Sequence, residues 1–119
     1  MKQIFAVFPS RRMEQVQRAL HSLVPFPGFT LLRGSGQSHG QGAAGGYVPS
    51  EADLDEQLNS LLFIVCPDEQ VEQIVALVRA ASHTGLPGDG VIVVSNVEYM
   101  TRIGEWPDDG PPEQSSPTN

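Results

Sequence analysis

The order of its elements constrains this chain most. Two apolar strand–helix units stand on either side of a long stretch in which glycine prevents regular packing. Lys2 to Phe8 (KQIFAVF) has strand composition and is ended by Pro9. Ser10 is suited to cap the helix that follows. There Met13, Val16, Leu20 and Leu23 recur at helical spacing, and Arg11, Arg12, Glu14, Gln17 and Arg18 fall on the wet face. Pro25, Pro27 and Gly28 stop that helix, and Phe29 to Arg33 reads as a second strand. Ser60 to Cys66 (SLLFIVC) is a continuous apolar strand. Pro67, Asp68 and Glu69 then open a second helix, because proline suits a first turn and acids favour its positive end. Val71, Ile74, Val75 and Val78 form its apolar stripe. Thr84 to Gly90 is a Gly/Pro turn, and Val91 to Val94, extended to Val97, is the last strand.

This order, β-α-β-β-α-β, is a split βαβ unit used twice. Right-handed crossovers then predict an α+β fold, the ferredoxin-like βαββαβ arrangement: a four-stranded antiparallel sheet with two helices on one face. Two helices leave the other sheet face bare. An apolar bare face needs a partner, so an oligomer is expected. The domain spans residues 1–105, with a long loop over about 36–58. Leu54, Leu58 and Leu61 suggest a helical turn near the end of that loop. A loop of that length inside a small domain is functional or disordered. Residues 106–119, rich in Pro, Ser, Asp and Glu, read as a disordered tail.

Charge narrows the function classes. Seven Lys+Arg stand against fourteen Asp+Glu, a net charge of −7. Eight of the acids lie in the loop (Glu51, Asp53, Asp55, Glu56) and near the C-terminus (Glu105, Asp108, Asp109, Glu113). The remaining chain carries seven bases and six acids, so the folded body is near neutral. The basic face of a nucleic-acid binder is missing. No apolar run approaches the roughly 20 residues that span a bilayer, and no apolar signal core follows Met1. The single Cys66 excludes an intrachain disulfide and a thiolate-rich zinc cluster. A cytoplasmic protein is expected.

Three stretches could carry chemistry. Gly34-Ser-Gly36-Gln-Ser-His-Gly40 follows a strand, but its spacing is GxGxxxG and no helix follows it, so it is not a dinucleotide fingerprint. His83-Thr84-Gly85-Leu86-Pro87-Gly88-Asp89-Gly90 holds several glycine amides able to converge on one anion. It fits equally a tight helix-to-strand connector. The third is Cys66 with His21, His39 and His83. These come from four separate segments, and no spacing favours a metal; Cys66 fits a core position, and His21 the negative end of a helix. No acid pair or Ser/His/Asp arrangement points to an enzyme.

The turn Thr84-Gly-Leu-Pro-Gly-Asp-Gly90 resembles the TGxxGDG turn of the PII signal-transduction family. The valine-rich strand after it, Asn96-Val97 and Arg102-Ile103-Gly104-Glu105 resemble that family's C-terminal strand-plus-Arg pattern. Cys66-Pro67-Asp68 opening a helix and Arg33-Gly34-Ser35-Gly36 at a loop mouth fit it too. The resemblance covers about residues 1–105 and is strongest over 60–105. It implies a homotrimer with adenine nucleotides in three intersubunit clefts and a long loop that docks on a target protein. Carried over by position, Thr84, Gly85, Gly88, Asp89 and Gly90 form the nucleotide turn. Gly36 lies at the loop base, Arg102 meets phosphates, and Gly28-Phe29-Thr30 lies near the adenine with the Thr30 hydroxyl available to it.

The departures from the family pattern shape the expected ligand. The family has Lys after the GDG, where this chain has Val91, and a second Arg two residues after the first, where it has Gly104. Losing two cations weakens a triphosphate site most, so ADP or AMP is expected over ATP as the effector. The loop-base Gln of the family aligns with Ser38, with Gln37 one place away. Its 2-oxoglutarate lysine is absent, since Lys2 is the only lysine. Tyr47 lacks the family's surrounding motif, which argues against uridylylation. Arg33 and Arg102 leave a positive cleft that suits a small anion, and bicarbonate fits it better than a dicarboxylate. The target is a transporter or a metabolic enzyme. The acidic stretch Glu51 to Glu56 suggests a basic docking surface, though a merely solvated loop fits it equally. The competing reading is a trimeric ferredoxin-like metal-binding or structural protein without nucleotide; a slow hydrolase comes third.

Overall fold

The computed structural model describes residues 1–36, 43–47, 58–86 and 88–104. The elements run β1 (Lys2–Pro9), α1 (Met13–His21), β2 (Thr30–Ser35), β3 (Leu58–Cys66), α2 (Val71–Ser82) and β4 (Val91–Asn96). The sheet order is β2-β3-β1-β4. β1 is antiparallel to both β3 and β4, and β2 is antiparallel to β3. This is the expected ferredoxin-like βαββαβ sheet.

Period-two alternation sorts the strand residues onto two faces. Ile4, Ala6 and Phe8 of β1 and Leu62, Ile64 and Cys66 of β3 are buried on one face. Val16, Leu20, Leu23, Ile74 and Val78 cover them from the helix side. Ser60 is the polar member of this buried row, and its Oγ pairs with Ser10 Oγ at 3.0 Å. The alternate residues form the other face. There Phe5 stands between Phe63 and Val93, and Val7 between Leu61 and Val91. Phe5, Phe63, Leu32, Val91 and Val93 are 37–61% exposed, an apolar face that nothing in the chain covers among the described residues.

Local details differ from the sequence expectations for identifiable reasons. Ser10 does not cap α1. It enters a 3-10 turn, Ser10–Arg12, and spends its hydroxyl on Ser60. Pro9 ends β1 opposite Asn59, a strand-end place where its missing N–H costs little. The second strand begins at Thr30 rather than Phe29, and Phe29 packs against the core instead. Leu58 and Leu61 belong to β3, not to a helical turn, because pairing with β2 and β1 extends that strand back to Leu58. Asp68 accepts an ion pair from the Met1 ammonium at 2.9 Å, which holds its carboxyl below the usual carboxylate range. Most of the long loop, with Gln37, Ser38, His39, Leu54 and Glu51 to Glu56, lies outside the described residues. So do Glu105 and the 106–119 tail.

Candidate functional site

One end of the sheet gathers the C-terminal ends of β1 and β2 and the N-terminal ends of β3 and β4. The turn from α2 into β4 sits there, at the β4 edge. α2 is tied into place by Arg12, whose Nε donates to the Ala81 carbonyl at 2.9 Å and so satisfies one of the oxygens left open at a helix C-terminus. Ser82 Oγ donates to the Val78 carbonyl at 2.7 Å, and His83 leaves the helix with extended backbone.

Asp89 organises the turn itself. Its carboxylate accepts from the Thr84 hydroxyl, from the Thr84 N–H at 3.0 Å and from the Gly85 N–H at 3.4 Å. His83 Nδ1 meets it at 3.0 Å. The Thr84 Oγ1 in turn accepts from the Leu86 N–H at 3.1 Å. The two Thr84 bonds, then Gly85 and His83, hold the Asp89 carboxyl at about 2 against a smaller opposing push from burial. An ionised carboxylate only accepts, so Nδ1 of His83 carries the hydrogen of that bond. The glycines have separate reasons. Gly85 and Gly88 have φ +83°, the left-handed region, with open space around an added Cβ. At Gly90 a Cβ would stand 1.8 Å from the Val7 carbonyl oxygen, so the turn can press onto β1 only without a side chain.

The sequence-derived site residues therefore fall into groups. The structure brings together His83, Thr84, Gly85 and Asp89, with Gly88 and Gly90 in the same turn. The anion gathered by the Thr84 and Gly85 amides is the chain's own Asp89, so these two residues shape the turn. Gly36 lies at the same end of the sheet but at the opposite edge, where its added Cβ would meet Asn59 Nδ2 at 3.4 Å. Arg33 is on that edge strand too, opposite Ser60, and is exposed. Thr30 opens the same strand, exposed on the uncovered face opposite Phe63. Three strand spacings separate the β2 and β4 edges, roughly 14 Å. Arg102 follows β4, which leads away from the turn to the far end of the sheet, and it too is exposed.

Cys66, His21 and His83, the described members of the Cys/His set, do not converge. Cys66 is buried in the core, where burial pushes its thiol up. His21 packs in a triangle with Phe26 and Phe29, with centroids 5.8 and 5.7 Å away, and His83 is engaged by Asp89. Among the described residues no three His, Cys, Asp or Glu side chains stand close enough to hold one ion. Sequence reasoning placed His83 in the turn without giving it this partner. The available signal was its place one residue before a turn whose only acid is Asp89.

The sequence model of the family described as "Nitrogen regulatory protein P-II" matches residues 1–105. The chain belongs to the P-II family. It is 33% identical to the nitrogen regulatory protein P-II of Rhizobium meliloti and 34% identical to that of Bradyrhizobium diazoefficiens, in each case over 87% of this chain and 91% of the relative. It is also 30% identical to a "Nitrogen fixation nifHD region GlnB-like protein 1" of Methanothermococcus thermolithotrophicus, over 88% of this chain and 97% of that one. The chain is thus a signal-transduction protein of a nitrogen-regulatory family. No helix among the described residues is long and apolar enough to cross a membrane.

Proposed function

We propose that this chain is a cytoplasmic regulator, not an enzyme, that binds an adenine nucleotide in clefts between the subunits of a homotrimer. One subunit supplies the Thr84–Gly90 turn. A neighbour supplies the β2 edge with Thr30, Arg33 and the loop base at Gly36, and because Arg102 leaves β4 at the far end of its own sheet, it reaches the phosphates only from another copy. The observation that carries this reading is the placement of an Asp89-organised turn at one sheet edge and the loop mouth at the other edge of the same end. A second copy would bring such edges together, and the uncovered apolar face gives copies a reason to associate.

Within that cleft Thr84, Gly85 and Asp89 set the shape of the turn, and the Gly88 and Gly90 amides contact phosphate. Val91 in place of a lysine and Gly104 in place of a second arginine leave one guanidinium, which suits ADP or AMP better than ATP. The same Arg33 and Arg102 charge admits bicarbonate rather than 2-oxoglutarate. Nucleotide then sets the state of the loop over about 36–58, and loop state sets affinity for a target protein, a transporter or a metabolic enzyme. Calorimetric titration with AMP, ADP and ATP, each with and without bicarbonate or 2-oxoglutarate, tests this. Saturable binding at about one nucleotide per subunit, weakest for ATP, is the expected result. Absence of any nucleotide binding overturns it.

A further inference from the structure

Beside the turn, on the helix-covered side of the sheet, lies a hollow of about 360 Å³ between the C-terminal half of α2 and the meeting of β1 with β4. Its volume lies within the range of small-molecule sites. Most of its strand wall faces the helices, since Ala6, Phe8 and Ile92 belong to the helix-side rows of their strands, while Val7 and Val91 of the other rows also border it. We propose that this hollow binds a small monocarboxylate with an apolar body, such as a short branched or aromatic acid.

Charge and chemistry select that class. Arg79 lines the hollow, and its guanidinium has no ion pair or hydrogen bond to any described residue. A planar guanidinium matches a carboxylate through two parallel hydrogen bonds. The other side-chain donors at the rim are committed. Ser82 Oγ donates to Val78, and His83 Nδ1 donates to Asp89. The ionised Asp89 carboxylate also borders the space, and because repulsion scales with charge, a dianion such as hydrogen phosphate would meet about twice the repulsion that a monoanion meets. The walls that remain, including Val75, Val78 and Ile92, are apolar and call for a hydrocarbon body. An occupant would touch His83 and Gly90, which are also parts of the turn.

The test uses the full-length, isotope-labelled protein without nucleotide, titrated with benzoate, benzamide and inorganic phosphate while amide chemical shifts are followed. Benzoate is expected to give saturable shifts confined to residues 6–8, 75–83 and 89–92, with benzamide and phosphate at least tenfold weaker. Arg79→Gln, an exposed helix position, is expected to weaken benzoate at least tenfold, and Arg79→Lys to weaken it less. No saturable shift by 20 mM benzoate, equal affinity in Arg79→Gln, or shifts centred on Phe5, Phe63 and Val93 would each overturn the proposal. The nucleotide reading is untouched by any of these outcomes and is judged by its own titration.

Discussion

The two faces of one sheet receive different treatment from the same strands. On the helix side, Ile4, Phe8, Leu62 and Ile64 are at most 1% exposed, sealed by α1 and α2. On the other side, Phe5, Phe63 and Val93 alternate with them along the same backbones and remain substantially open to water. The residue types are equally apolar, so hydrophobicity alone does not explain the difference. Two helices connected by right-handed crossovers can cover only one face. The chain therefore buries one face of its sheet by itself, and the other face is available for association.

The largest expected effect belongs to the sealed face. Leu62→Ala should cost about 2–5 kcal/mol of unfolding free energy, from lost burial plus the cavity left behind. Denaturant titration reads it. Phe63→Asp, on the open face, should leave the folded core intact by amide exchange yet lower the molecular mass in light scattering to that of one chain. A wild-type protein already of monomer mass would show instead that this face stays in water.

Gly90→Ala probes the rim where the two faces meet. The added methyl would collide with the Val7 carbonyl, so β4 must move off β1, and exchange of the β4 amides should rise well before global unfolding. Gly85→Ala should be milder, about 1–2 kcal/mol, because only its positive φ is strained and the space around it is open.

The turn should also respond to acid. The folded carboxyl of Asp89, at about 2, lies below its ordinary value of about 3.9, so the folded turn binds fewer protons than the unfolded chain. Its contribution is then complete above about pH 4 and is lost as pH falls through about 2. Amide exchange at Thr84 and Gly85, followed across that interval, should accelerate as pH falls after correction for intrinsic rates. Asp89→Asn should remove the pH dependence and, under the proposed function, weaken nucleotide binding.

Element order, the two helix stripes and the alternation that divides the strands into two faces are all legible along the chain. These are local, periodic properties, readable from spacings such as Val16–Leu20 and Ile74–Val78. The Thr84–Gly90 turn shows itself in the same way, through its glycines and single acid. What those residues do to one another emerges only from the packed fold. Ser10 leaves its capping role because Ser60, fifty residues away, needs a partner in the core. Leu58 and Leu61 become strand because pairing with β2 and β1 rewards extension more than their spacing rewards a helix. Asp89 fills the amide nest that its own turn creates, Gly90 answers to a carbonyl on β1, and Arg79 is placed over a hollow walled by three elements. Each depends on groups brought close by the fold from distant or oppositely directed segments, and spacing along the chain carries no record of such distances.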